Sequence, residues 1–251
     1  MNDAKQPLDR QSGHSDEAVR VVKVENRNTL NDFIRLPWSL YVNDPMWVPP
    51  LLLERRMHLS PKNPYFEHAK FNSWVAYRKG KAVGRISAQI DQLHIDRYPD
   101  ATGFFGLLEA ENNGRLFHTL LNKAETWLGD QGMKRVLGPF NLSINQELGL
   151  LVDGFDTPPS MMMGHACPYY GDRIEENAYR KTKDLLAYII NSDTEPHAAA
   201  KAVMARSRDR IHIRNMNMSK FSDELEIIRD IFNDAWSHNW NFVPFTNEEF
   251  E

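Results

Sequence analysis

The order of apolar patterns along the chain predicts an α/β fold of the α+β kind, a mixed central sheet flanked by helices. Three observations carry this: a tight hairpin signature, strand-like and helix-like segments alternating on both sides of it, and one helix stripe wide enough to cover a sheet. VRVVKVEN (19–26) alternates valine with charge and reads as a half-buried strand. Asn28 and Thr29 suit the cap of a helix whose apolar positions Leu30, Phe33, Ile34 and Pro37 keep 3-4 spacing until the proline interferes. Residues 37–66, rich in proline and aromatics, read as short helices and turns packed by Trp38, Tyr41, Trp47 and Tyr65.

FNSWVAYRKGKAVGRISAQI (71–90) sets two apolar runs around Arg78-Lys79-Gly80-Lys81, where Gly80 supplies the positive φ of a hairpin turn. TGFFGLLE (102–109) supplies the next strand. Leu116, Phe117, Leu120, Leu121, Ala124, Trp127 and Leu128 then form a broad helix stripe that Gly129 and Gly132 end. MKRVLGPF (133–140) reads as a strand, a long connection covers 141–168, and a short helix near Tyr169 leads into KDLLAYII (183–190), the last expected strand.

Four segments follow from this. Residues 1–18 are a polar lead-in expected to be disordered, 19–190 form the α/β unit, and 191–210 form a basic, alanine-rich linker helix. Residues 211–251 repeat the opening pattern of strand, cap, periodic helix and aromatic turn ending in Val-Pro, and read as the start of a second, truncated unit.

Composition narrows the function. A chain of 251 residues with 41% hydrophobic content can bury a sizeable core. Thirty basic and thirty-four acidic residues, with no dense Lys/Arg block, argue against nucleic acid as a partner. The single cysteine, Cys167, excludes an internal disulfide or thiolate cluster and fits a reducing cytoplasm. No signal-peptide core and no stretch of roughly 20 apolar residues is present, so neither export nor a membrane partner is expected. Nine histidines without HExxH or His/Cys ligand spacing predict no metal.

The element order, with GKAVGRISA in the hairpin and an apolar strand feeding a polar turn and a long helix, resembles the GCN5-related N-acetyltransferase (GNAT) superfamily over about residues 19–190. More narrowly, DPMWVPPL, GFFGLLEAENN, KRVLGPFNLSIN, GLLVDGFDTPP and PYYGDRIEE resemble the bacterial YghO-like group, with two GNAT-like units in tandem. The resemblance implies acyl transfer from acetyl-CoA or another acyl-CoA, as co-substrate, to a small-molecule or peptide amine. It also implies packing against the remainder of the second unit. The strand at Leu107 and Leu108 would pair with the pantetheine arm, and Asn112, Asn113, Gly114 and Arg115 would hold the pyrophosphate at a helix start, where unpaired N–H groups and the dipole favour anions.

Against the family loop Gln/Arg-x-x-Gly-x-Gly/Ala, Gly114 matches, while Glu111 replaces the Gln/Arg and Leu116 the last small residue. A carboxylate about 4 Å from a phosphate repels it by roughly 4 kcal/mol at an effective dielectric near 20. Two readings of the turn stand: a phosphate cradle offset by Arg115, or an ordinary cap with Leu116 turned into the core. By placement Glu109 is the expected base; Tyr170, one helical turn upstream of the family's tyrosine position at Ile174, is the expected thiolate acid. Asn141, Ser143, Asn145 and Glu147 alternate; if extended they point to one side and either line a substrate pocket or satisfy buried backbone. His165-Ala166-Cys167 shows no ordering partner for a thiol nucleophile in the sequence. The alternative to an acyltransferase is a non-catalytic ligand-binding or assembly module on the same fold.

Overall fold

The computed structural model describes residues 18–189, 191, 193, 195–210 and 214–250; all but Ala18 of the expected lead-in, Ile190 and 211–213 of the expected restart lie outside them. In chain order the elements are β1 (Arg20–Lys23), α1 (Arg27–Leu40), α2 (Leu52–His58), α3 (Tyr65–His68), β2 (Ala69–Arg78), β3 (Lys81–Asp91), α4 (Gln92–Arg97) and β4 (Thr102–Ala110). Then follow α5 (Gly114–Asp130), β5 (Arg135–Leu137), β6 (Phe140–Asn141), β7 (Glu147–Leu148), α6 (Tyr170–Glu175), α7 (Ala198–Ser207), α8 (Phe221–Trp236) and α9 (Asn247–Phe250).

Strands β1 to β5 form one sheet in chain order, antiparallel through β4 and parallel between β4 and β5. This is the mixed sheet with flanking helices that the sequence predicts. The hairpin is a two-residue turn: Arg78 pairs with Lys81, and both Lys79 (φ 50°) and Gly80 (φ 78°) are left-handed, as a type I′ turn requires. Period-2 alternation then sorts side chains between two covers. Trp74 and Ala76 meet Leu116, Phe117, Leu120 and Leu121 of α5, while Val75 meets Phe33 of α1 on the other face. Each large apolar side chain buried this way contributes about 1.5–3 kcal/mol.

Several expectations are corrected. Helix α1 is capped by Asn26, whose Oδ1 accepts from the N–H groups of Asn28 and Thr29, both at 3.0 Å, while Thr29 Oγ1 accepts from Asn26 N–H. A capping box at Asn26, two residues before Asn28, thus replaces the expected cap at Asn28 and Thr29. The strand expected over 133–140 splits into β5 and β6 at Gly138-Pro139, where proline has no N–H to give a ladder. The expected strand at 183–190 is irregular over its described residues, with Leu186, Tyr188 and Ile189 exposed. Alternation alone does not make a strand; a neighbour must supply the ladder, and β5 at that edge of the sheet is three residues long. Among the described residues 214–220 there is no strand either, only a 3₁₀ turn (Met218–Lys220) before α8.

The last segment returns to the sheet unit. Tyr98 Oη donates to Phe242 O at 3.2 Å, Asn145 Nδ2 donates to Val243 O at 2.9 Å, and Phe242 and Val243 are buried. His68, between Asp91 at 3.1 Å and Glu249 at 3.3 Å, ties α9 to β3. Among the described residues no helix is long and apolar enough to cross a membrane, and no group of three or more His, Cys, Asp or Glu is placed to hold a metal.

Candidate active site

The site begins with a defect in the sheet. Ser87 pairs with Gly106 but Arg85 pairs with Glu109, so Leu107 and Leu108 together oppose Ile86. One extra residue in β4 is a β-bulge, and Leu107 sits in it at φ 47°. An L-residue held there costs about 1–2 kcal/mol. The bulge re-aims the end of β4, so that Leu107, Leu108 and Glu109 all line one cleft.

Glu109 is the floor of that cleft. Its Oε2 accepts from Tyr41 Oη at 2.8 Å and Tyr170 Oη at 2.6 Å, and its Oε1 lies 3.7 Å from Arg85 Nη2. Tyr41 comes from the end of α1, Tyr170 from the start of α6 and Arg85 from β3, so four elements meet on one carboxylate. Arg85 is fixed further by Phe33, donating to its carbonyl at 2.7 Å and lying over its ring at 4.9 Å. Tyr170 Oη also accepts from Ala110 N–H at 3.1 Å, and Tyr169 Oη donates to Ala110 O at 2.8 Å. The predicted pair Glu109 and Tyr170 is therefore brought together, joined by two residues that the sequence reading did not single out for chemistry. Arg85 lies in the GKAVGRISA string and Tyr41 among the aromatics read as packing.

The connector closes the opposite wall. Buried Gln89 donates to Phe140 O at 2.7 Å and Leu142 O at 3.1 Å. At Gly106 a Cβ would stand 1.6 Å from Phe140 O, so only glycine admits this approach. Asn141 Oδ1 accepts the Leu107 N–H at 2.7 Å, and its Nδ2 donates to Glu147 Oε2 at 3.0 Å. Glu147 also pairs with Arg55 of α2, and His58 with Gln146. Asn141 and Glu147 thus line the cleft; Ser143 and Asn145 do not. The alternation expected of the four is corrected because 143–146 is a turn closed by Gln146 N–H to Ser143 O at 3.2 Å. Ser143 Oγ accepts from Asn145 N–H, and the Asn145 amide leaves for Val243.

The turn at 112–115 lies outside the cleft wall. Asn113 caps α5, its Oδ1 accepting from Leu116 N–H at 3.0 Å, and Leu116 is buried. Asn112 Oδ1 accepts from Arg173 Nε at 2.8 Å, and Glu111 is held by Arg78 at 2.6 Å. Glu176, paired with Arg173, stands 3.1 Å from the position of a Gly114 Cβ; Arg115 is exposed.

No protein-family model matches the chain. Two curated proteins do. It is 48% identical over 226 residues to Protein YghO of Escherichia coli (strain K12), covering 90% of this chain and 58% of that one. It is 44% identical over 238 residues to the Bacterial ceramide synthase of Caulobacter vibrioides (strain NA1000 / CB15N), covering 92% and 61%. The chain thus spans about three fifths of the length of these relatives. Among solved structures it is similar to the aminoglycoside acetyltransferase meta-AAC0020 from an uncultured soil metagenomic sample, in complex with trehalose and with sisomicin. The TM-score is 0.41 at 14% identity, covering 69% of this chain and 97% of that one.

Two carboxylates of one cleft are pushed in opposite directions. Burial raises Glu109 above the usual carboxylate range, and Arg85 and the two tyrosine hydroxyls only partly oppose it. Burial acts on Glu147 too, but the Arg55 guanidinium and the Asn141 amide outweigh it and hold that group below the usual range. Burial and the Glu109 charge drive the Tyr41 and Tyr170 hydroxyls far up, so both stay protonated. The Cys167 thiol is likewise raised by burial, the opposite of an activated nucleophile.

The same wall holds a pair that the sequence reading missed. His165 Nε2 lies 2.7 Å from Asp44 Oδ2, and Asp44 Oδ1 accepts from Met46 N–H at 2.9 Å. The partners are 121 positions apart, so no spacing rule could have joined them.

Proposed function

We propose that this chain carries the acyl-transfer site of an acyl-CoA-dependent N-acyltransferase, acting from acetyl-CoA or a longer acyl-CoA on a small-molecule or peptide amine. The observation that carries the reading is the cleft at the bulged end of β4, where Glu109, Tyr170, Asn141 and Glu147 converge from distant segments. Opposite pKa shifts in one cleft are the pattern that separates acid from base roles. The relatives support the chemistry: a ceramide is a fatty-acid amide, so the name of the Caulobacter protein describes an acyl group joined to an amine.

Bound acyl-CoA supplies the thioester; the chain binds it and orients the amine. Leu107 and Leu108 would flank the pantetheine arm, and Asn112 to Arg115 would face the phosphates. The turn fits an anion in its cations, since Arg78 already neutralises Glu111 and Arg115 and Arg173 stand beside it. Glu176 opposes an anion, but its side chain is 51% exposed and free to swing into water. The reaction also needs an acceptor for the amine proton, for which Glu109, directly or through a water, is the candidate read from the sequence.

One observation favours the second reading, a non-catalytic ligand-binding or assembly module. Asn112 and Asn113 are both engaged within the protein, which is what a plain helix cap looks like. Calorimetric titration with acetyl-CoA and palmitoyl-CoA, followed by thiol release with and without a long-chain amino alcohol or a peptide amine, separates the two. The transferase reading expects saturable binding and amine-dependent thiol release. No binding of either donor overturns it, and binding without release for any acceptor establishes the second reading.

A further inference from the structure

The cleft wall contains a proton acceptor that its other contacts leave open. His165 is 4% exposed in its side chain, lines the cleft and lies edge-on to Tyr41 with ring centroids 5.3 Å apart. An ionised Asp44 only accepts, so in the neutral ring the proton sits on Nε2 and faces Asp44 Oδ2. That leaves the lone pair on Nδ1, and Nδ1 is buried without a hydrogen-bond partner among the described residues. A buried acceptor with no donor costs about 1–3 kcal/mol, so its retention in a cleft wall points to a donor that arrives with a ligand.

Glu109 and Tyr170 are committed elsewhere. One Glu109 oxygen carries two tyrosine protons and the other faces Arg85. Tyr170 Oη donates to Glu109 while it accepts from Ala110 N–H. Moving a proton through either group breaks the floor of the site. His165 needs no such rearrangement.

We propose that His165 Nδ1 takes the proton of the attacking amine, with Asp44 as the positioning residue that sets its tautomer; this rests on the acyltransferase reading above. An aliphatic amine, with a pKa near 10 like a lysine side chain, is mostly ammonium at pH 7 and must lose a proton to attack. In the step, the ammonium gives one proton to His165 Nδ1, the neutral amine nitrogen bonds to the thioester carbon and the carbon–sulfur bond breaks. The second N–H proton goes to the departing thiolate, so amide and free thiol form, and His165 returns its proton to solvent. Histidine suits the role because its ordinary pKa lies near neutrality. The charged and titratable groups that bear on the ring are Asp44, Tyr41 and Glu109, with Arg85 and Tyr170 behind Glu109.

The test compares wild type, His165→Ala and Asp44→Asn for acyl-CoA affinity by calorimetry and for turnover over pH 5–9 with two acceptors. One acceptor is an aliphatic amine and the other is trifluoroethylamine, which is largely neutral at pH 7. The expected result for His165→Ala is a loss of about 10²–10⁴-fold in kcat with the aliphatic amine, as for other general bases. The loss should be at least tenfold smaller with trifluoroethylamine, added imidazole should restore part of the rate, and acyl-CoA affinity should not change. Asp44→Asn should shift the acidic limb of the profile and lower kcat less. Equal losses with both amines, or a loss of acyl-CoA binding, would mean that His165 is structural and would overturn the proposal. So would turnover within threefold of wild type. Failure of the underlying reading looks different: wild type itself would then bind no acyl-CoA and release no thiol.

Discussion

Glu109 and Gly114 stand five positions apart, yet the cleft floor and the helix start around them are built in opposite ways. At the floor, Glu109 takes partners 68 and 61 positions away, Tyr41 and Tyr170, and all of them are buried or nearly so. At the turn, Asn113 caps Leu116 only three positions on, and the flanking Asn112 and Arg115 are exposed. The floor therefore exists only when the whole sheet unit is assembled. The turn is closed by its own cap, with Arg173 and Arg78 reaching only side chains at its edge, so the two should fail differently when altered.

The largest effect belongs to the floor. Glu109→Ala removes the acceptor of two buried hydroxyls and leaves Arg85, only 11% exposed, without its counter-charge. Breaking one side of such a buried pair costs about 3–5 kcal/mol. Urea unfolding should show that loss at pH 7, and Glu109→Gln, which keeps an acceptor, should lose less. A cost below about 1 kcal/mol for the alanine variant would erase the contrast between floor and turn.

Next comes Asn141→Ala. It strands the Leu107 N–H of the bulge and takes one donor from Glu147. An unsatisfied buried donor costs about 1–3 kcal/mol, and urea unfolding should register a loss in that range. Hydrogen exchange at the Leu107 amide should accelerate in the same variant. Unchanged exchange there would mean that the bulge is held by the sheet alone.

The same division explains what the sequence made legible. The Lys79-Gly80 hairpin, the Leu116 to Leu128 stripe and the turn into α5 are local patterns, and each stands where periodicity or turn chemistry places it. Placement at a strand end singled out Glu109 and the family resemblance Tyr170, and the two meet at the cleft floor; their roles are proposals. The bulge was not legible, because Leu107 carries no glycine to advertise a positive φ. Nor was Asp44 as the partner of His165, since that contact is made only by the packing of the connector onto the end of α1. The misread strand at 183–190 is the converse: apolar residues in order, without a neighbouring strand.

Acidification should separate the two cleft carboxylates. Glu147 is held below the usual range, so its stabilisation is present above the unfolded value near 4.3 and is lost as pH falls through the folded one. Glu109 is raised, so it destabilises the fold as pH climbs from about 4.3 through its folded value. The urea midpoint should therefore rise as pH is lowered through the folded Glu109 value and fall again below about 4. Glu109→Gln should flatten the first change and Glu147→Gln the second. A wild-type midpoint that falls steadily from pH 7 would reject the raised Glu109.

The smallest effects lie at the turn, and there stability and binding should part company. Asn113→Ala loses a helix cap, worth about 1 kcal/mol. Gly114→Ala should do less: Gly114 opens α5 without a left-handed φ, so alanine mainly restricts the unfolded chain, a gain of about 0.4–1 kcal/mol. Its Cβ would meet the tip of Glu176 at 3.1 Å, and that half-exposed carboxylate can move. A phosphate approaching the backbone at Gly114 cannot move aside in the same way. If the turn binds diphosphate, Gly114→Ala should keep or raise the urea midpoint while weakening acyl-CoA by more than about tenfold, or 1.4 kcal/mol. If affinity and midpoint both stay within error of wild type, the turn is a helix cap alone, and the phosphates of the donor must be held elsewhere along the cleft.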